Sequence, residues 1–318
     1  MISFIIIGRN EGWKLSKCIQ SIIDLIEYNT IDKFEIIYVD SGSTDNSIEK
    51  AKEFEVVRIF KLTGNFNAAI ARNVGSKEAK GDVYFFIDGD MEIKPNFLKA
   101  VYTVDSGLID NFVSGHWINY FYDHSDKLIK RENLDRPVKD IIEKVTGGLF
   151  LIKKETWDMV GGMNNKFKKS QDIDLGLRLA KRGIYLLRKK EFAAIHHTIS
   201  YLNPKRMWQD FFNWNHLYGR SFLYRTHLFN RHVFERVFMH DYSAILLIIS
   251  LISIVFSKVV WLSAFLLYFT VILLRGKFNL RKLVFYFLRD LSVLVGFFIF
   301  FPKEPQFSYE KIKLSEKV

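Results

Sequence analysis

The chain has 318 residues, of which 49% are hydrophobic and 16% aromatic, so burying a sizeable core is no difficulty and one large α/β domain plus a smaller unit fits the length. A single cysteine, Cys18, excludes any disulfide within the chain and suits a reducing compartment. The formal net charge of +11 is uneven: residues 181–318 hold 21 Lys/Arg against 8 Asp/Glu, a net +13, which leaves 25 against 27, a net −2, for the first 180 residues. A basic half of this kind suits nucleic acid or an anionic membrane.

In chain order, Ile2–Ile7 reads as a buried first strand; it is too short for a signal peptide and lacks a basic leader, so the N-terminal domain is expected not to be exported. Leu15, Cys18, Ile19, Ile22, Ile23 and Ile26 recur three and four apart, which predicts an amphipathic helix from Glu11 to about Tyr28 with Cys18 in its core stripe. Phe34–Val39 is a second strand ending at Asp40, and Ser41-Gly42-Ser43-Thr44-Asp45 is turn chemistry. Val56–Leu62 is a third strand, and Asn67–Lys80 a helix. Val83–Ile87, five apolar residues rich in aromatic and β-branched types, predicts a fully buried strand. It ends in Asp88-Gly89-Asp90. In an open parallel sheet ligands bind just beyond strand C-termini, so two carboxylates stand where a ligand would be met. Such hard oxygens suit Mg²⁺ or Mn²⁺ that already carries phosphates. The β-α-β-α order predicts a largely parallel sheet covered on both faces.

Further on, Pro95 opens a helix, Asn111–Tyr122 is a strand, and Gly147-Gly148 leads into a strand at 149–152. Gln171–Arg182 is helical, and Ile184–Leu187 is the last strand, followed by His196 and His197. From about residue 200 the composition changes. Residues 201–240 mix Trp, Phe and Tyr with Arg and Lys, as in a helix at a membrane surface; nucleic acid would accept the same mixture. Tyr242–Phe256 and Val259–Leu274 are apolar throughout, which predicts a membrane hairpin with Lys258 near its tip. The basic residues on either side place its ends in the cytoplasm. The region 241–301 also holds a possible third span, 283–301, interrupted by Arg289-Asp290, and residues 302–318 form a polar tail expected to be poorly ordered.

Five stretches now stand in order: Ile5-Ile6-Ile7-Gly8-Arg9-Asn10-Glu11, Val39-Asp40-Ser41-Gly42-Ser43-Thr44-Asp45, Ala71-Arg72-Asn73-Val74-Gly75, Asp88-Gly89-Asp90, and Gln171-Asp172-Ile173-Asp174-Leu175 with Arg178. Over residues 1–200 the chain resembles a family 2 glycosyltransferase. The resemblance implies a GT-A fold, an α/β nucleotide-diphospho-sugar transferase domain with a Rossmann-like, mostly parallel sheet, here followed by interfacial and transmembrane helices. It implies an inverting, metal-dependent hexosyltransferase that takes a UDP- or GDP-sugar. Asn10, Glu11, Asp40, Arg72, Asp88 and Gly148 would bind the nucleotide sugar. Asp40 would accept from the base, Asp88 would meet the ribose, and Arg72 would face the phosphates. Asp90 and Asp88, with His196 as a third ligand, would hold Mg²⁺ or Mn²⁺, and Asp172 would be the general base. Taken singly, Asp40 also reads as a turn cap, Arg72 as an exposed helix residue and Asp88/Asp90 as a turn pair.

Gly8 replaces the family's usual proline, and Gln171 its usual glutamate, which removes a negative charge beside Asp172. The Gln-x-x-Arg-Trp signature of processive synthases is missing, which favours single-sugar addition. The expected partners are a glycan or lipid-linked acceptor and membrane lipid, with no nucleic acid, at the cytoplasmic face of the membrane. A polyprenyl-phosphate sugar synthase and a non-catalytic scaffold that keeps the fold are the rival readings.

Overall fold

The structure, a computed structural model, describes every residue except 104, 124, 133–136, 200–204 and 314–318, with 205 and 206 described in backbone only. The chain divides into two units, Met1–Leu202 with Glu304–Val318, and Asn203–Lys303.

The first unit opens with β1 (Ile2–Gly8), α1 (Trp13–Tyr28), β2 (Phe34–Asp40), α2 (Ser47–Lys52), β3 (Val57–Gly64), α3 (Ala68–Glu78) and β4 (Val83–Asp88). Then come β5 (Met91–Ile93), a 3₁₀ turn at Pro95–Ala100, β6 (Tyr102–Thr103), β7 (Gly107–Leu108), β8 (Phe112–Tyr122), β9 (Leu128–Arg131), β10 (Ile141–Glu143) and β11 (Leu149–Lys153). α4 (Lys154–Met159), α5 (Gln171–Ala180) and β12 (Leu186–Ile199) follow. After the second unit the chain returns as β13 (Phe307–Ile312). The main sheet runs β10-β12-β8-β11-β4-β1-β2-β3-β13, with β5 paired to β12 and β9 to β8. β3, β2, β1 and β4 are mutually parallel, while β11 is antiparallel to both β4 and β8.

The continuous apolar strands are explained by burial on both faces. In β1, Ile2, Phe4 and Ile6 pack with Leu15, Cys18, Ile19 and Ile22 of α1, whereas Ile7 packs with Ile70, Ala71 and Val74 of α3. Cys18 is fully buried, as a core residue should be. Each such side chain contributes about 1.5–3 kcal/mol by leaving water. Gly75 brings α3 onto the sheet, because a Cβ there would stand 2.2 Å from Ile5 Cγ2.

Two sequence expectations change. The last strand extends to Ile199 and contains His196 and His197, instead of stopping at Leu187. The charged run Arg188–Glu191 lies at a register shift against β8, and such an irregularity breaks the alternation that marks a strand. The tail expected to be poorly ordered supplies β13, which pairs antiparallel with β3 from Phe307↔Gly64 to Ile312↔Ile59.

The second unit is helical: α6 (Lys205–Phe212), α7 (Asn215–Leu217), a π-turn at Tyr218–Phe222, α8 (Leu223–Thr226), α9 (Arg231–His240), α10 (Tyr242–Ser253), α11 (Lys258–Arg275) and α12 (Leu280–Ile299). Among the described residues only α11 is by itself long and apolar enough to cross a membrane, with a mean hydropathy of 1.7 and 11% of that window buried. α9 and α10 pass together as a pair bent by 90°. Arg289 and Asp290, the charged pair within the possible third span, are buried. Arg289 donates to Asp290 at 2.6 Å and lies 3.8 Å from Asp241, which also accepts from Arg220 at 2.8 Å and from Tyr224.

Candidate active site at the ends of the central strands

β1, β2 and β4 are parallel and in register, so Gly8 pairs with Asp40, and Ile7 with Asp88. Their C-terminal ends border a cleft of about 320 Å³. Glu11, Asp88 and Asp90 line it together with Arg9, Lys168 and Lys169.

Asp88 ends β4. Its Oδ1 accepts from Arg72 Nη2 at 2.6 Å, and 36% of its side chain is open to the cleft. Burial nonetheless pushes its pKa up to about 6; Arg72 opposes the shift and Asp90 adds to it. Arg72 is buried on α3, not exposed to solvent, and its Nε and Nη1 have no hydrogen-bond partner among the described residues. Gly148 backs directly onto this carboxylate: a Cβ there would stand 2.2 Å from Asp88 Oδ2. The glycine therefore makes room for Asp88 as well as for any donor.

Asp90 carries the second carboxylate. His196 Nε2 lies 3.1 Å from Asp90 Oδ2, while its Nδ1 donates to Asn119 Oδ1 at 2.8 Å. With Nδ1–H donating to Asn119, a hydrogen bond from Nε2 to the Asp90 carboxylate needs the second ring nitrogen protonated as well, and loss of that proton is what would free the Nε2 lone pair for a cation. Burial works against a charged His196, but the Asp90 hydrogen bond outweighs it and its pKa moves up. His197, on the opposite face of β12, is held by Glu92 and by the Tyr122 hydroxyl, which excludes it from the cleft.

Glu11 points its side chain along Gly8 and Gly89; a Cβ on either would meet Glu11 Cγ, at 3.0 and 3.3 Å. Burial, then Asp90 and Asp88, push its pKa up to about 8. Asn10 does different work. Its backbone N–H donates to Ser43 Oγ and its Oδ1 accepts from Thr44 N–H, tying the loop after β1 to the loop after β2. Asp40 has no exposed surface: Oδ1 accepts from the Tyr38 hydroxyl and Oδ2 from Ser43 N–H, both at 2.9 Å. In this structure it shapes the Ser41–Ser43 loop and offers no carboxylate edge to the cleft, contrary to direct contact with a base.

Asp172 lies in the first turn of α5, close enough to raise the pKa of Asp88. Helix N-termini favour carboxylates there. Asp174 is fully buried and paired with Arg178, which also donates to the Val160 and Gly162 carbonyls. Arg178 thus pins the Gly161-Gly162 turn beside α5.

Lys168 and Lys169 escaped the sequence reading. They sit on the loop before α5, which α3 holds down: Asn67 donates to Asn165 O, and Asn73 bonds Met163 N and O and the Asn165 side chain. Loop lysines carry no periodicity, so only the two asparagines, Asn67 capping α3 and Asn73 six residues on, could have hinted at the clamp. Phe66 was missed as well; it lines the cleft between Gly42 and the Arg9 guanidinium, 4.8 Å above its ring.

Among the described residues no group of three or more His, Cys, Asp or Glu side chains is placed so that it could hold a metal ion. Carboxylates crowded enough to raise their own pKa values still suit a divalent cation. An open set of that kind fits one that takes its remaining oxygens from phosphates and water.

Residues 3–184, more than half of the chain, match the model of a family described as Glycosyl transferase family 2. The chain is 33% identical over 130 residues to "Glycosyltransferase GlyG" of Streptococcus pneumoniae, covering 40% of this chain and 41% of that one. It is 23% identical over 205 residues to "Glycosyltransferase AglE" of Haloferax volcanii, covering 61% and 66%. The chain therefore spans less than two thirds of the length of either. A crystal structure of GalNAc-T7 with UDP, GalNAc and Mn²⁺ superposes with a TM-score of 0.49 at 18% identity, over 62% of this chain and 44% of that one.

Proposed function

The chain belongs to glycosyl transferase family 2, and on that premise we propose that it moves a single sugar from a nucleoside-diphosphate donor to a lipid-linked or envelope-glycan acceptor, with inversion. Its mixed α/β sheet is of the GT-A type that the five motifs imply. The observation that carries the reading is a bipolar cleft: three carboxylates from the ends of β1 and β4 share it with Arg9, Lys168 and Lys169.

The donor's nucleoside lies toward the Ser41–Ser43 loop that Asp40 and Asn10 hold in shape. Its diphosphate meets Lys168 and Lys169, and Arg72 keeps Asp88 ionised and in place. Asp90, Asp88 and His196 would hold Mg²⁺ or Mn²⁺, which when bound supplies positive charge to the diphosphate. The acceptor hydroxyl gives its proton to Asp172 as its oxygen attacks the anomeric carbon. A new C–O bond forms on the face opposite the diphosphate. The old anomeric C–O bond breaks, and its electron pair leaves with the diphosphate. Lysines facing the departing charge stabilise it where it develops. Gln171 stands where the family usually has glutamate, which removes one negative charge beside Asp172.

Asp172→Asn tests this. Transfer is expected to fall by roughly 10²–10⁴-fold while donor affinity is kept. Unchanged transfer would remove Asp172 as base and favour a polyprenyl-phosphate acceptor, whose oxygen needs no deprotonation. Failure of the wild-type chain to turn over any of a panel of nucleotide sugars would favour a scaffold. The exposed apolar helices and basic flanks of Asn203–Lys303 support a place at the cytoplasmic face of a membrane.

A further inference from the structure

The second unit leaves the first sheet and comes back to it. β12 precedes it, β13 follows it, and both are strands of one hydrogen-bonded sheet. A bilayer cannot pass between strands of one sheet. If Asn203–Lys303 enters a membrane, as the proposed location requires, it crosses an even number of times. We infer that it crosses twice, through a hairpin of α10 and α11, and that α12 is not a span but lies across the base of that hairpin.

Three observations support two crossings. α11 is bracketed by Lys258 and Arg275, about 26 Å apart at 1.5 Å per residue, close to the ~30 Å hydrocarbon thickness. Only 11% of it is buried, so it is not the core helix of a soluble fold. The other leg, Tyr242–Phe256, has no charge, and its Ser250 and Ser253 hydroxyls donate to carbonyls of their own helix, as hydrocarbon demands. The polar network sits at the base. Arg289 donates to Ser243 Oγ at the start of α10, and Arg275 at the end of α11 donates to His240 O and Ser243 Oγ.

The first half of α12 meets the hairpin along the half nearer Arg275, where Leu247, Tyr268 and Ile272 pack with Leu283 and Phe287. Tyr268 donates to Asp290, and the rings of Phe269 and Phe287 stack at 5.7 Å. The second half of α12 packs instead on the π-turn, where Ser221 donates to Val293 O and a Cβ on Gly296 would meet Ser221 and Leu217. The tip of the hairpin is left bare, with Val255, Phe256 and Val259 between 74% and 81% exposed. Charge matches an anionic inner leaflet: the unit holds 13 Lys/Arg against 4 Asp/Glu, and of the basic residues Lys258 alone is at the tip.

The experiment expresses the full chain in intact cells and probes single cysteines with a membrane-impermeant maleimide. Native Cys18 is buried and serves as the silent background. Lys258→Cys, with Ser257→Cys as a second tip position, is expected to label in intact cells, and Glu310→Cys on β13 only after permeabilisation. Labelling of Glu310→Cys and of the tip cysteines alike in intact cells would put the sheet and the tip on one side of the membrane and overturn the inference. Tip cysteines that label only in detergent would mean a re-entrant loop or contact with a second copy, and would overturn it too. Wild-type chain recovered in the soluble fraction without detergent would overturn the membrane reading itself.

Discussion

Both units bury charge, and they do so in opposite ways. In the helical unit Arg220, Asp241, Arg289 and Asp290 form a closed set, two cations against two anions, with Tyr224, Tyr268 and Ser243 satisfying the remaining edges. At the ends of β1 and β4, Glu11, Asp88 and Asp90 crowd together, with the buried Arg72 guanidinium bonded to Asp88. The closed set locks one arrangement of helices. The unbalanced set stores unfavourable charge that a cation would relieve, which is how a binding site differs from a structural ion network. Perturbed carboxylates therefore point to the cleft, and burial of charge alone does not.

The comparison can be broken most severely on the helical side. Asp241→Ala leaves Arg220 and Arg289 without their shared partner. It is expected to cost about 3–5 kcal/mol of that unit's stability, read as lost expression or a lowered Tm. A neutral result would mean that the network is not a lock. On the cleft side, chelation or Asp90→Asn should reduce transfer by orders of magnitude while leaving the melting temperature unchanged or raised. Full turnover in excess chelator would remove the cation from the scheme.

Glu11→Gln sharpens the contrast further. A carboxyl whose pKa is about 8 in the folded state and about 4.5 in the unfolded one binds more protons when folded. The metal-free chain is then less stable at pH 8 than at pH 5, losing stability as pH rises through that window. The variant should flatten this slope and raise the Tm at pH 8 by roughly 2–4 °C for each kcal/mol relieved. A slope that persists in Glu11→Gln would assign it to another group. The smallest effect is expected from Lys168→Ala and Lys169→Ala, each weakening donor binding by about 1.5–3 kcal/mol if it makes a charged hydrogen bond to the diphosphate. A rise in acceptor KM alone would place them on the other substrate.

Much of this was legible in the chain. β1, β4 and the Ile36–Val39 part of β2 are apolar runs because both faces are buried, and such runs are hard to mistake. Asp88, Asp90 and Asp172 were legible because of where they stand, after a buried strand or at a helix start. β12 was cut short because a register shift with charged residues erased its alternation. β13 was missed because an edge strand has one neighbour and keeps polar residues, so Phe-Ser-Tyr-Glu-Lys-Ile reads as tail. Arg72 shows the limit most clearly. Its sequence places it on a helix, and only the packing of α3 against β4 shows that it is buried against Asp88.

The returning strand also sets an order of events during synthesis. β13 is separated from β12 by roughly one hundred residues, so at about 5–20 residues per second the ribosome needs about 5–20 s to make it. Until then the outer edge of β3 has no neighbour, and an unpaired edge is a template for unwanted pairing. The hydrophobic helices emerge in that same interval. If a bilayer captures them, as the proposed location requires, that capture comes before the sheet can be finished, and the last hydrogen bonds of the sheet form in chains whose helices are already sheltered.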